Sequence, residues 1–175
     1  MRYIVIVAIC IVTLMLLVSC GSKDNGGSDF EPVTQKTDKI AGSKVSVADV
    51  VDFYYTYSWI GYNAEYLRYR FYVEDGKCMF MHDARKVEDD YGPASEEHRT
   101  SYGIKELSQE EWDRFLDLIK VGSINNPKEH TETGDSGPWL YLYYSKGNDV
   151  ERMEFNFNSL GDRSDFVEFC ESLAQ

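Results

Sequence analysis

His82, His98 and His130 are the only imidazoles in this 175-residue chain. Metal centres and acid–base pairs usually announce themselves by tight spacing, as with two histidines four apart on one helix face. Here the histidines stand sixteen or more residues apart. His130-Thr131-Glu132 reads His-x-Glu, but the paired cysteines that complete a zinc deaminase site do not follow it. Asp89, Asp90, Glu129 and Glu132 bring carboxylates without the Asp-x-Asp-x-Asp-Gly loop and distal Glu that a calcium site needs. A glycine-rich phosphate loop and a Gly-x-Ser-x-Gly elbow are both missing. The expectation is a chain with no metal, no cofactor and no catalytic set, so not an enzyme.

Gly134-Asp135-Ser136-Gly137-Pro138 invites comparison with the trypsin-type nucleophile segment, Gly-Asp-Ser-Gly-Gly-Pro. It lacks one glycine where backbone N–H groups would build the oxyanion hole. A turn before a strand is the simpler reading. The remaining chemistry is recognition: the chain carries thirteen Tyr, nine Phe and three Trp. Tyr and Arg are favoured where a surface grips a partner. By alternation Tyr54, Tyr66, Arg68 and Tyr72 share one sheet face, with Arg70 beside them, and form a candidate binding patch for a protein, peptide or glycan. The same rings would otherwise serve only cross-strand packing, at ~0.2–1 kcal/mol per pair.

The elements follow from periodicity. Val51, Phe53, Tyr55, Tyr57 and Trp59 alternate with Asp52, Tyr54, Thr56 and Ser58, a half-buried strand. Leu67, Tyr69, Phe71 and Val73 alternate with Tyr66, Arg68, Arg70 and Tyr72. Asp75-Gly76 marks a hairpin into a third strand, Cys78 to Ala84. Asp83 to Gly103 is polar and reads as a long loop, with a short strand within it as the alternative. Ser108 and Glu111 form a capping box, with Leu107 and Trp112 as its staple. Trp112, Phe115, Leu116 and Ile119 make a helical stripe that Gly122 ends. Trp139 to Ser145 and Val150 to Asn158 make a second hairpin, with Met153, Phe155 and Phe157 inward. Asp162 is the expected cap of a last helix whose stripe is Phe166, Phe169, Cys170 and Leu173. The order β-β-β-α-β-β-α predicts an α+β fold, with an antiparallel sheet of about five strands and two helices packed on one face.

Before the domain, Arg2 is followed by an apolar run from Tyr3 to Val18, which has the build of a secretory signal. At ~1.5 Å per residue its sixteen residues span roughly 24 Å, short of a ~30 Å hydrocarbon core. It closes on Leu17-Val18-Ser19-Cys20, which resembles the lipobox of bacterial lipoproteins. That resemblance implies removal of residues 1–19 and attachment of diacylglycerol, with palmitate among the acyl chains, at Cys20. Residues 20–44, polar and rich in Gly and Ser, read as a flexible tether with a span of about 27 Å. Residues 45–175 are then one globular domain with 13 Lys and Arg against 26 Asp and Glu, a net −13. Such acidity excludes a nucleic-acid partner, whose phosphates require Lys and Arg neutralisation. Cys78 and Cys170 remain in the domain, as one disulfide or two buried thiols. The register that turns Cys78 inward also turns His82 inward, which favours free thiols slightly.

The helix start Leu107-Ser108-Gln109-Glu110-Glu111, the Gly134–Leu142 segment launching a Trp-led strand, and the closing hairpin and helix together resemble a group of small bacterial lipoproteins of uncharacterised function. That group lends no residue a catalytic role. The expectation is a lipid-anchored protein on the extracytoplasmic side of the cell envelope, held to the membrane through Cys20. It would act as a non-enzymatic binding module. The alternatives are an accessory envelope lipoprotein without a soluble ligand and, behind it, an enzyme with dispersed residues.

Overall fold

In the computed structural model, which describes residues 39–125 and 137–175, a strand called β1 (Val50–Trp59) runs through the middle of a seven-stranded sheet. Its neighbours in sequence are β2 (Gly61–Tyr62), β3 (Glu65–Glu74), β4 (Lys77–Lys86), β5 (Tyr91–Gly92) and β6 (Arg99–Glu106). Helix α1 (Gln109–Lys120) follows, then β7 (Ser123–Asn125), β8 (Trp139–Lys146), β9 (Asp149–Asn156) and helix α2 (Leu160–Leu173). The sheet order is β6-β4-β3-β1-β8-β9-β7, antiparallel throughout, and β2 and β5 pair separately as a short ribbon. All described residues fall within one compact unit, Val33–Gln175.

The α+β reading holds, with both helices on one face of the sheet, but the sheet has seven strands rather than about five. The largest addition is β6, whose first five residues lie in the stretch read as a loop. Its sequence, Arg-Thr-Ser-Tyr-Gly-Ile-Lys-Glu, has no buried side chain, because an edge strand is held by its ladder to β4 and not by an apolar face. Gly103 is needed there, since a Cβ at that position would lie 2.7 Å from the His82 ring. Strand β4 runs on to Lys86, two residues beyond the expected end. Three-residue β7 is too short to carry a period.

The core lies between the sheet and the helices. Phe53 packs against Phe115, Phe155 and Phe166, with ring centroids 5.6, 5.1 and 5.5 Å away. Phe71 stacks on Phe115 at 4.1 Å and touches Phe80 and Phe166. Such pairs contribute ~0.5–1.5 kcal/mol each beyond the area they bury. A register shift between Val50 and Asp52 turns Val50, and not Val51, into this core. Ile40 is also fully buried there, and its N–H donates to the Val45 carbonyl, so the packed structure begins inside the stretch read as tether.

Helix α1 starts as expected: Ser108 Oγ accepts from the Glu111 N–H, Glu111 accepts from the Ser108 N–H, and Leu107 and Trp112 are both buried. Gly122 follows it for a different reason from the one expected. The helix closes at Val121 with right-handed backbone. A Cβ on Gly122 would collide with the Phe155 ring and lie 2.9 Å from the Asn156 carbonyl oxygen. Helix α2 starts at Leu160, capped by Ser159 accepting from the Asp162 N–H, and not at Asp162. Phe166, Cys170 and Leu173 are buried as the stripe requires. Cys78 and Cys170 are both free thiols. Burial pushes the Cys78 thiol up to about 11, and Cys170 is raised by burial as well. His82 does turn inward with Cys78, and its Nε2 lies 2.9 Å from Ser101 Oγ.

Replacing Ser108 with Ala is expected to lower stability by about 1 kcal/mol. Trp112→Ala should cost ~3–5 kcal/mol, because it empties a buried site between helix and sheet. Urea melts of both variants check this, and equal small losses would mean that α1 does not pack as described.

Candidate functional site

The face of the sheet turned away from the helices collects the chain's guanidinium groups. Of the seven arginines between residues 39 and 175, Arg68, Arg70, Arg85, Arg99 and Arg152 lie there. Alternation places them. On β3, Leu67, Tyr69 and Phe71 face the core, so Tyr66, Arg68, Arg70 and Tyr72 face outward. On β8, Leu140, Leu142 and Tyr144 face the core, which turns Tyr141 and Tyr143 outward beside Tyr54. On β9, Arg152 lies opposite Tyr143.

Each arginine is laid over a tyrosine. Arg68 sits 5.1 Å from the Tyr54 ring and 5.7 Å from Tyr66, and Arg85 is 4.6 Å from Tyr66. Arg70 covers Tyr72 at 4.4 Å, Arg99 covers Tyr102 at 4.6 Å, and Arg152 covers Tyr141 at 5.1 Å. This layer buries what lies beneath it: Tyr141 is 2% exposed, Thr56 1% and Asp83 5%. The two polar groups among them are satisfied. Arg68 Nε donates to Thr56 Oγ1 at 3.0 Å, and Asp83 accepts from both Arg85 and Arg99.

Between these groups lies an open groove of about 520 Å³. Its middle is tyrosine, with Tyr54 from β1 and Tyr141 and Tyr143 from β8; the Tyr54 and Tyr143 hydroxyls are 3.4 Å apart. Arg68 and Arg70 flank it from β3, and Arg152 flanks it from β9. Asp52 is the single carboxylate in the lining among the described residues, and Arg70 Nε donates to it at 3.0 Å. That hydrogen bond raises the Arg70 pKa, so its charge is permanent. The lining therefore carries three guanidinium groups against one carboxylate, in a domain whose net charge is −13.

The four residues expected to form a binding patch do share this face. Tyr54 and Arg68 line the groove, whereas Tyr66 and Tyr72 border it beneath Arg85 and Arg70. Tyr141, Tyr143 and Arg152 complete the groove and were not among the expected residues. Their alternation with Leu140, Leu142 and Met153 was readable, but the pairing of β8 with β1 joins segments almost ninety residues apart. The other candidates do not assemble. His82 faces the helix side, and the Ser95 N–H donates to His98 Nδ1. Among the described residues, no group of three His, Cys, Asp or Glu side chains is placed to hold a metal ion. Cys20, Glu129, His130, Glu132 and the Gly134–Ser136 turn lie outside the described residues. Compared with known proteins, the chain matches no family model, no curated protein and no solved structure.

Asp83 gives this face a pH dependence. Burial pushes its carboxyl up, but hydrogen bonds and charge from Arg85 and Arg99 outweigh that and hold it below the usual value. Its contribution to stability is thus fully present above the unfolded-state pKa of ~3.9 and is lost as pH falls through the lower folded value. Asp83→Asn is expected to lower stability at neutral pH by about 1.5–3 kcal/mol. It should also flatten the acid limb of the stability curve. Urea melts across an acid titration measure both, and an unchanged acid limb would show that Asp83 does not supply it.

Proposed function

We propose that this protein is a lipid-anchored, extracytoplasmic and non-enzymatic binding module. Acyl chains on Cys20 hold it to a membrane, and the open sheet face takes its ligand. The observation that carries the binding role is the groove between Arg68, Arg70 and Arg152, where an acidic domain gathers positive charge around tyrosine. The anchor rests on the apolar run ending in Leu17-Val18-Ser19-Cys20. Among the described residues, no helix is long and apolar enough to cross a membrane, and buried acyl CH₂ groups at ~0.8 kcal/mol each would attach the chain without one.

Two experiments test the two halves of this reading. In cells fed an alkyne analogue of palmitate, the wild-type chain should take up label and Cys20→Ala should not. Label on the Cys20→Ala chain would refute the anchor. For the face, photoreactive benzoylphenylalanine replaces Tyr143 in the groove or the exposed Glu168 on α2. Irradiation of intact cells should give adducts from position 143 and none from position 168. Adducts from neither position, or from both equally, would contradict a binding sheet face.

A further inference from the structure

We infer that the groove receives a short acidic saccharide, whose carboxylate or sulfate is held between Arg152 and the Arg68–Arg70 pair. The inference rests on the open sheet face being the binding face, and it adds the class of ligand. Three observations lead to it. The first is charge. Among the described residues, three guanidinium groups and one carboxylate, Asp52, line the groove, so this lining carries an excess of positive charge. Guanidinium forks match planar or tetrahedral oxyanions with paired, charge-assisted hydrogen bonds.

The second is where the groove lies. It opens on β3, β1 and β8, each paired with a strand on both sides, and on β9, which β7 covers only over Glu154–Asn156. A peptide that binds a sheet by strand addition needs a free edge, whereas the tyrosine middle of this groove lies on β1 and β8, each of which has a strand on both sides. Recognition here falls to side chains: guanidinium groups, tyrosine hydroxyls and flat rings. Tyr54 and Tyr143 set two hydroxyls 3.4 Å apart, each of which can donate and accept, as the hydroxyls of a sugar do.

The third is the rest of the domain. With 26 acidic residues against 13 basic ones, the domain's net charge repels an extended polyanion. A chain end or a short oligosaccharide places its charge in the groove and little elsewhere. Long polyanions are disfavoured for the reason that already excludes nucleic acid.

The test is calorimetric titration of the full-length lipidated chain in a neutral detergent, with four probes of similar size. These are trigalacturonic acid, a sulfated trisaccharide, neutral maltotriose and triglutamate. One or both acidic saccharides should bind, more weakly as salt rises, while maltotriose and triglutamate give no heat. Whichever acidic probe binds decides between carboxylate and sulfate. Arg152→Gln should weaken binding about tenfold or more, as loss of a charge-assisted contact does. If Arg152→Gln does not fold, Tyr143→Phe keeps the ring, removes the hydroxyl and should weaken binding several-fold. Silence from both acidic saccharides, equal binding of triglutamate, or full affinity in a folded variant would each overturn the inference. Crosslinks from position 143 combined with silence from the acidic saccharides would overturn it while leaving the binding face in place.

Discussion

Everything in this domain meets at one strand. Along β1 the side chains alternate, so Phe53 and Tyr55 enter the helix-side core while Tyr54 and Thr56 enter the opposite face. Phe53 is fully buried against rings from α1, β9 and α2, which ties three later segments to this strand. One position on, Tyr54 packs against Tyr141 and under Arg68. A slip of one residue would put tyrosine hydroxyls into the core and phenylalanine under the arginines. The core thereby sets the register of the groove. The pairing that closes the sheet, β1 with β8, is also the one most separated in sequence, and non-local pairing must meet its closure entropy before any contact repays it.

The outer face solves an electrostatic problem that the composition poses. An acidic chain has few cations to spend, and it places most of its arginines in one layer above tyrosine rings. Each such contact is worth ~0.5–1 kcal/mol at exposed sites. A guanidinium already stacked on a ring and hydrogen-bonded to Thr56, Asp52 or Asp83 has little rotamer freedom left to lose when a ligand arrives. Asp83 braces the far end of the layer by holding Arg85 and Arg99 together. The proposed binding role and the packing role of these residues would draw on one arrangement.

Where apolar side chains repeat with a fixed period, the sequence was easy to read. The alternation of Phe53 with Tyr54 and of Phe71 with Arg70 placed the right side chains on each face, and Ser108 with Glu111 located the start of α1. The misreadings have physical causes. Strand β6 buries nothing, so no pattern marks it; only its ladder to β4 makes it a strand. Gly122 looks like a helix stop but serves the close approach of Phe155. Helix α2 begins at Leu160 because Ser159, three residues before Asp162, accepts from the Asp162 N–H and caps it. Half of the groove, Tyr54 and Arg68, was visible as outward residues of one hairpin. The other half, Tyr141, Tyr143 and Arg152, belongs to a second hairpin, and no local rule specifies which strand it will join.

The pairing of β1 with β8 is thus the claim on which both core and groove rest, and nuclear Overhauser effects measure it directly. In the full-length chain, the backbone protons of Tyr54 and Tyr141 should give strong cross-strand effects, as should those of Phe53 and Leu142. Those effects would place Arg152 across two strands of tyrosine from Arg68. If they are missing, and β8 instead shows contacts to β6 or to no strand of the first meander, then Arg68 and Arg152 do not share a groove and the account fails.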